Sequence, residues 1–281
     1  MRADQLTDPV AYHAEGPVWS PSWGGLRWVD MLAGDILSLH PDGSIGRRHV
    51  GSVAAVVRPR SAGGAVIAVE RGFALEDADG QLTTLDPLWD GPIRMNEGGC
   101  DPDGRFWCGS MAYAATPGAG SVYRLDAGHA VTTAFGEVTI SNGLEWTPDG
   151  QRAHYVDTPT GRVDVFDYDR DAGLTGRRPW VTFGPDDGHP DGLTVDAAGG
   201  VWVAANGGSA VRHFDASGRL DEVVEVAARQ VTACSLGGER LDELFITTSR
   251  ENLAPDDDPL AGSLFHVTGV SPGQPVRSYA G

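Results

Sequence analysis

Residues 193–205, LTVDAAGGVWVAA, contain the unit that decides the fold: a short apolar strand, a Gly-Gly turn and a second apolar strand. Glycine supplies the positive φ angles of a tight hairpin turn, and β-branched and aromatic residues beside the turn favour strands. The unit occurs six times, with Asp-Gly in the turn of some copies, and the copies end at residues 30, 70, 110, 157, 205 and 248. Steps of about 40 to 48 residues are the period of one propeller blade. The sequence therefore predicts an all-β, six-bladed β-propeller.

Further apolar segments after these hairpins predict the outer strands of the blades, at 36–39, 121–125, 163–168 and 211–215. Residues 262–267 predict the third strand of the last blade, which an N-terminal strand would complete. Such closure leaves no exposed sheet edge. No stretch has the composition of a linker, so we predict one domain over residues 1–281.

The chain is strongly acidic, with 21 lysine plus arginine residues, 39 aspartate plus glutamate residues and a formal net charge of −18. This balance argues against binding to nucleic acid or to an anionic membrane surface. No run of 18 apolar residues is present, and residues 1–12 lack the apolar region of a secretory signal. The three cysteines, Cys100, Cys108 and Cys234, do not form a disulfide framework. We therefore expect a cytoplasmic protein.

Polar residues stand just before the innermost strand of several blades. They are Glu15, Arg94 with Asn96, Asn142, and Asp191. Residues at the same phase of a rotational repeat converge on its axis, and two carboxylates gathered there without a cation would cost several kcal/mol. Carboxylate and amide oxygens suit Ca²⁺, Mg²⁺ or Mn²⁺. The pattern predicts a divalent metal in the central channel.

Each of these residues also has an ordinary interpretation. Asn142-Gly143 and Asp191-Gly192 are common turn dipeptides, Glu15 could be a solvated loop charge, and Arg94 could pair with a surface carboxylate. The shared phase in different repeats favours a site. Serine-hydrolase chemistry lacks its Gly-x-Ser-x-Gly elbow, and only His189 among the scattered histidines stands beside the predicted site.

A set of motifs in fixed order covers nearly the whole chain. It comprises 15–19 (EGPVW), 94–98 (RMNEG), 101–107 (DPDGRFW), 140–144 (ISNGL), 190–193 (PDGL), 231–234 (VTAC) and 262–265 (GSLF). In this set the chain resembles the senescence marker protein/gluconolactonase/luciferin-regenerating enzyme family, also called regucalcin-like. The resemblance implies a propeller with one divalent metal, held by Glu15, Asn142 and Asp191.

The resemblance also implies roles for the remaining residues. Asp191 would be the catalytic base, Asn96 would hold water or substrate beside the metal, and Arg94 would contact the substrate. Two positions depart from the family pattern: Glu97 replaces the usual Asp, and no acid follows Met111 where animal members have a substrate-contacting Glu. Tyr113 offers a hydroxyl or a stacking face there instead.

We therefore expect a metal-dependent hydrolase that opens a lactone ring, a sugar lactone in the first place, with a small-molecule lactone as its binding partner. Ca²⁺ is the expected cofactor, and Zn²⁺, Mg²⁺, Mn²⁺ and Fe²⁺ are the other metals used in the family. The alternative is a non-catalytic propeller that binds calcium or another protein. Turnover that requires metal separates the two hypotheses.

Overall fold

The computed structural model describes residues 1–254 and 256–281. Within these residues the chain forms 24 strands in six four-stranded sheets, which confirms the predicted all-β, six-bladed propeller. Helix in this part of the chain is limited to three 3₁₀ turns, at Pro21–Trp23, Met31–Ala33 and Thr158–Thr160. In the same residues, no helix has the length and apolar character that a membrane crossing requires.

The strands follow one another in chain order around the propeller. Strand β1 is Asp4–Gln5, and the first sheet contains β2 (Ala14–Ser20), β3 (Gly25–Asp30), β4 (Asp35–Leu39) and β5 (Ile45–His49). The second sheet contains β6 (Ala54–Pro59), β7 (Ala65–Val69), β8 (Gly72–Glu76) and β9 (Leu82–Thr84). The third contains β10 (Ile93–Cys100), β11 (Phe106–Ala112), β12 (Gly120–Leu125) and β13 (Val131–Val138).

The second half of the chain repeats this arrangement. The fourth sheet contains β14 (Ser141–Trp146), β15 (Arg152–Asp157), β16 (Arg162–Asp169) and β17 (Gly173–Thr182). The fifth contains β18 (His189–Val195), β19 (Val201–Asn206), β20 (Ala210–Phe214) and β21 (Leu220–Glu225). The sixth contains β22 (Val231–Gly237), β23 (Glu243–Thr248) and β24 (Leu264–Thr268).

The six predicted hairpins are the first two strands of the six sheets. The repeat at 193–205 forms β18 and β19, and Gly199 in its turn has the positive φ, 86°, that the hairpin requires. The first strands of neighbouring sheets lie beside one another, so they line the centre of the propeller. The first residues of these strands therefore meet at one end of the central channel.

The N-terminal strand closes the ring, as predicted. Strand β1 pairs antiparallel with β24, with Asp4 opposite His266 and Gln5 opposite Phe265. The sixth sheet consequently has the order β1-β24-β23-β22, and its outer edge comes from the other end of the chain. This pairing satisfies backbone groups that would otherwise form an exposed edge.

Aromatic side chains pack between the blades. Trp28, Trp107, Trp146 and Trp202 are fully buried. The rings of Trp107 and Trp146, from the third and fourth sheets, have centroids 5.9 Å apart. Such contacts bury the sheet faces that a single blade would expose.

The last residues of the chain cross one end of the channel. The innermost strands begin at the other end. In this C-terminal strap, residues 271–281, Gly273 forms a bridge with Asp196, and Gln274 Nε2 donates to the carbonyl of Trp146 at 2.8 Å. Tyr279 N donates to the carbonyl of Pro59 at 2.8 Å. The strap thus ties the fifth, fourth and second sheets together across one end of the channel.

Candidate metal centre and active site

The innermost strands of all six sheets have a register shift at the same place. On β2, β10, β14 and β18, two residues lie opposite a single residue of the second strand, which is a β-bulge. The bulged pairs are Gly16-Pro17, Asn96-Glu97, Asn142-Gly143 and Asp191-Gly192. A bulge re-aims the side chains on a strand, so the shared position affects Asn96, Asn142 and Asp191 directly, and Glu15 lies immediately before its bulge.

This placement corrects one expectation from the sequence. The polar residues do not precede the innermost strands: they lie within them, because β2 already begins at Ala14 and β18 at His189. The Asn-Gly and Asp-Gly dipeptides are therefore strand bulges and not hairpin turns. The glycines have a packing role, since a Cβ on Gly143 would lie 2.8 Å from Leu193 N and a Cβ on Gly192 would lie 2.5 Å from the Cβ of Ala233.

A chain of hydrogen bonds joins three of the predicted residues. Arg94 donates to Oδ1 of Asn96 at 2.6 Å, and Asn96 donates through Nδ2 to Oδ1 of Asn142 at 2.9 Å. Asn142 in turn donates through Nδ2 to the hydroxyl of Thr158 at 2.7 Å. These hydrogen bonds fix which end of each amide is the oxygen, and they leave a lone pair on Oδ1 of Asn142 for a further partner.

The two predicted carboxylates are buried close enough to oppose each other's ionisation. Burial raises the pKa of Glu15 well above its usual value, and the charges of Asp191 and Glu97 raise it further. Burial also raises the pKa of Asp191, although Asn206 donates to its Oδ2 at 2.9 Å. Oε2 of Glu15 and Oδ1 of Asp191 are buried and lack a hydrogen-bond partner in the part of the chain that the structure describes.

These residues fit a divalent cation. Two mutually repelling carboxylates with free oxygens, and an amide oxygen oriented by its neighbour, form a hard oxygen donor set. A cation between them would relieve both the repulsion and the unpaired oxygens. Among the described residues, no three histidine, cysteine, aspartate or glutamate side chains come together as a metal-binding group, and the predicted set has only two such residues.

Arg94 is the cation within this group of acids. It is 6% exposed, and its guanidinium also contacts the carbonyl of Met95 at 3.1 Å. Burial lowers its pKa, whereas the carboxylates of Glu251, Glu15 and Asp191 act in the opposite direction. An arginine remains charged under such conditions, so it places a positive charge beside the carboxylate pair.

Tyr113 lies at the outer edge of this group and not inside it. Its side chain is 48% exposed, and its hydroxyl donates to Oε1 of Glu70 at 2.7 Å. Burial and the bond to Glu70 raise the pKa of Tyr113 to about 12, so the hydroxyl stays protonated at neutral pH. His189 is exposed on the surface beside Asp191.

Several residues around the site were not among those predicted from the sequence. His13 is buried, with Nδ1 at 2.7 Å from the Ser249 hydroxyl and Nε2 at 3.6 Å from Oε1 of Glu15. Burial lowers the pKa of His13 to about 3, so the imidazole is neutral. Glu251 and Asn206 also belong to this surrounding. The position of Glu251 and Asn206 within the repeat could have indicated both residues. Like Tyr113, each lies at the end of the second strand of its sheet or shortly after it.

Glu97 lies between the carboxylate pair and the strap, and its Oε2 is also buried without a hydrogen-bond partner among the described residues. It lines a cavity of about 50 Å³ together with Arg58, Glu145 and Arg277. Burial raises its pKa to about 8, and the charge of Asp191 contributes in the same direction. The cavity is large enough for one or two water molecules, and its two arginines balance its two acids.

Comparison with known proteins assigns the chain to one family. The chain belongs to the SMP-30/gluconolactonase/LRE-like family, whose model matches residues 13–250. This confirms the resemblance that the ordered motifs indicated.

Individual relatives are similar over nearly their full length. Regucalcin of Oryctolagus cuniculus is 33% identical, with 95% of this chain and 94% of the relative covered. The 6-deoxy-6-sulfogluconolactonase of Pseudomonas putida is 34% identical, with the same coverage of 95% and 94%. Among solved structures, the calcium-binding protein regucalcin from Agrobacterium tumefaciens has a TM-score of 0.92 at 28% identity, with 99% of this chain and 97% of that chain covered.

Proposed function

We propose that this protein is a metal-dependent hydrolase that opens sugar lactones to the corresponding hydroxy acids. The observation that carries the proposal is the pair Glu15 and Asp191: both are buried, their charges repel each other, and each has an unpartnered oxygen among the described residues. Membership of a gluconolactonase-like family and similarity to a bacterial sulfogluconolactonase support the same reaction class.

In this proposal Glu15, Asn142 and Asp191 hold the cation, and Asn96 keeps Oδ1 of Asn142 turned toward it. A bound divalent cation supplies Lewis-acid polarisation of the lactone carbonyl and favours deprotonation of a water molecule. Ca²⁺ is the first candidate because all the donors are hard oxygens. Every other task falls to the side chains of the chain itself.

Asp191 acts as the general base. Asn206 holds its Oδ2, which fixes the plane of the carboxylate and leaves Oδ1 free. The carboxylate takes a proton from the water that attacks the carbonyl carbon. When the bond between that carbon and the ring oxygen breaks, the proton passes to the ring oxygen, so that lactone and water give one hydroxy acid.

Arg94 and Asn96 orient the substrate. The Arg94 guanidinium has five N–H donors; Nη1 contacts Asn96, Met95 and the sulfur of Met31, and the donors on the other two nitrogens can face a substrate oxygen. A preorganised cation at this point stabilises the negative charge that develops on the carbonyl oxygen. Because Arg94 is buried, solvent screens this interaction little.

Metal analysis of freshly purified protein, followed by a pH-stat assay of sugar lactones with the metal found, tests the proposal. We expect acid release that stops with EDTA and returns with the metal. Asp191→Ala should abolish turnover, whereas Asp186→Ala, an exposed aspartate in the same approach to β18, should leave it unchanged. Full turnover by Asp191→Ala would remove Asp191 from its role.

The second candidate is a calcium-binding propeller without catalysis. It is favoured by the similar Agrobacterium tumefaciens protein, a regucalcin described as calcium-binding. Tight binding of Ca²⁺ with no acid release from any lactone, whichever metal is added, would establish this candidate and exclude the lactonase.

A further inference from the structure

Three side chains stand at the mouth of the channel above the candidate metal centre. Glu70 follows β7, Tyr113 follows β11, and Glu251 follows β23 by three residues. We call these three residues the rim. They come from the second, third and sixth sheets, and the carbonyl of Glu70 accepts from Met95 N at 2.9 Å, next to Arg94 and Asn96.

Glu251 is held in place over the site. Its backbone N–H donates to the Ser249 hydroxyl at 2.9 Å, and its carbonyl accepts from Gln230 Nε2 at 2.9 Å. Its Oε2 lies 3.4 Å from Nδ1 of His13, whose other nitrogen is near Glu15. The carboxylate of Glu251 is one third exposed, so it borders both the site and solvent.

The arginines near the rim are already engaged: two of them lie near carboxylates, and Arg250, which precedes Glu251, donates to the carbonyls of Ala11 and Pro9. The chain has no lysine, so all 21 of its cationic side chains are arginines. The negative charges of Glu251, Glu15 and Asp191 raise the pKa of Arg94 and offset its positive charge. Arg71 lies 3.6 Å from Glu70 and 3.4 Å from Asp90. A divalent cation would be matched by the two carboxylates that hold it. A substrate therefore finds a mouth with acceptors, where the nearby guanidinium groups already have partners.

The rim offers hydrogen-bond acceptors rather than donors. Glu251 presents a carboxylate, and Tyr113 gives its only hydroxyl proton to Glu70, which leaves the lone pairs on the phenolic oxygen for another donor. Hydroxyl groups on a sugar ring are such donors. A phosphate, sulfonate or carboxylate substituent brings only acceptors and negative charge.

We propose that the rim makes this protein selective for neutral, hydroxyl-bearing lactones and against lactones that carry an anionic substituent, with Glu251 as the specificity-determining residue. The inference rests on the proposed function. The similar Pseudomonas putida protein is named for a sulfonated gluconolactone, so the family does not fix this preference in advance.

The test compares glucono-1,5-lactone with its 6-phosphate in the metal-loaded enzyme. We expect kcat/KM for the phosphorylated lactone to be at least about tenfold lower at low salt, and the gap to narrow at 0.5 M NaCl, since one close charge pair is worth about that much before screening. Glu251→Gln should raise kcat/KM for the phosphorylated lactone about tenfold with little change for the neutral one. Glu239→Gln, an exposed acid in the turn between β22 and β23, should change neither.

A binding measurement provides a readout that does not depend on turnover. Calorimetry should show that wild-type protein binds glucitol more tightly than glucitol 6-phosphate, and that Glu251→Gln reduces the difference. Equal efficiency on both lactones, or an equal effect of Glu251→Gln on both, would overturn the inference while leaving the lactonase intact. Turnover of neither lactone with any divalent metal would instead reject the proposed function, and the inference with it.

Discussion

Asn96 donates through Nδ2 to Oδ1 of Asn142 at 2.9 Å, and this bond joins the innermost strands of the third and fourth sheets. The same amide group donates to the carbonyl of Ser141 at 2.7 Å and accepts from Arg94 at 2.6 Å. Asn96 therefore uses both ends of its amide inside the channel. The orientation of Asn142, a proposed metal ligand, depends on it.

Removal of the Asn96 amide should weaken metal binding. In Asn96→Ala, Asn142 loses the partner that fixes its Oδ1, and the loss of such a supporting contact lowers metal affinity by about 10- to 100-fold. Isothermal titration of EDTA-treated protein with Ca²⁺ measures the change. Gln151→Ala, an exposed amide in a turn of the fourth sheet, is the matched control. Wild-type affinity in Asn96→Ala would show that Asn142 does not need this partner.

The metal-free protein should lose stability as the pH rises. Folding raises the pKa of Asp191 from 3.8 to about 7 and that of Glu97 from 4.5 to about 8, chiefly through burial. Between these values the folded chain retains protons that the unfolded chain has lost. The free energy of unfolding therefore falls by roughly 1.4 kcal/mol per pH unit for each such group, and the loss is complete above the folded pKa.

Urea unfolding in EDTA at pH 5, 6, 7 and 8 measures this effect. Asp191→Asn should be more stable than the wild type at pH 8, and the difference should shrink toward pH 5. A divalent cation should remove the advantage of the variant. Parallel pH profiles for the two proteins would mean that burial does not raise the pKa of Asp191 as the structure indicates.

The C-terminal strap should contribute strongly to stability through Tyr279. This side chain is fully buried, and its hydroxyl donates to the carbonyl of Asp126 at 2.7 Å. Tyr279→Ala should cost about 3–5 kcal/mol, and Tyr279→Phe about 1 kcal/mol. Urea unfolding measures both, with Ser278→Ala as the control. A loss below about 1 kcal/mol for Tyr279→Ala would mean that the strap is loosely held.

The hairpins, their number and the closure of the ring follow from local sequence. Turn glycines and alternating apolar residues specify each hairpin within about 15 residues, and the repeat multiplies the signal. Residues at one phase of the repeat were expected to converge, and the structure brings Glu15, Arg94, Asn96, Asn142 and Asp191 together in the buried channel. The roles assigned to these residues remain predictions.

The features that local sequence did not provide depend on distant contacts. The bulge on β18 places Gly192 against Ala233 of the next sheet, where a Cβ would clash, and no local pattern encodes this contact. The strap lies outside the repeat and is held largely through backbone carbonyls of other sheets, so it has no side-chain periodicity. His13 and Glu251 meet across the closure of the ring, 238 positions apart in the sequence.

The most direct test of the proposed metal site is a calorimetric titration of EDTA-treated protein with divalent cations. We compare the wild type with Glu15→Gln, Asp191→Asn and the exposed control Asp186→Asn. We expect one tight site per chain in the wild type and the control, and a loss of affinity of at least about 100-fold in each of the other two variants. Wild-type affinity in both Glu15→Gln and Asp191→Asn would contradict the proposed metal site.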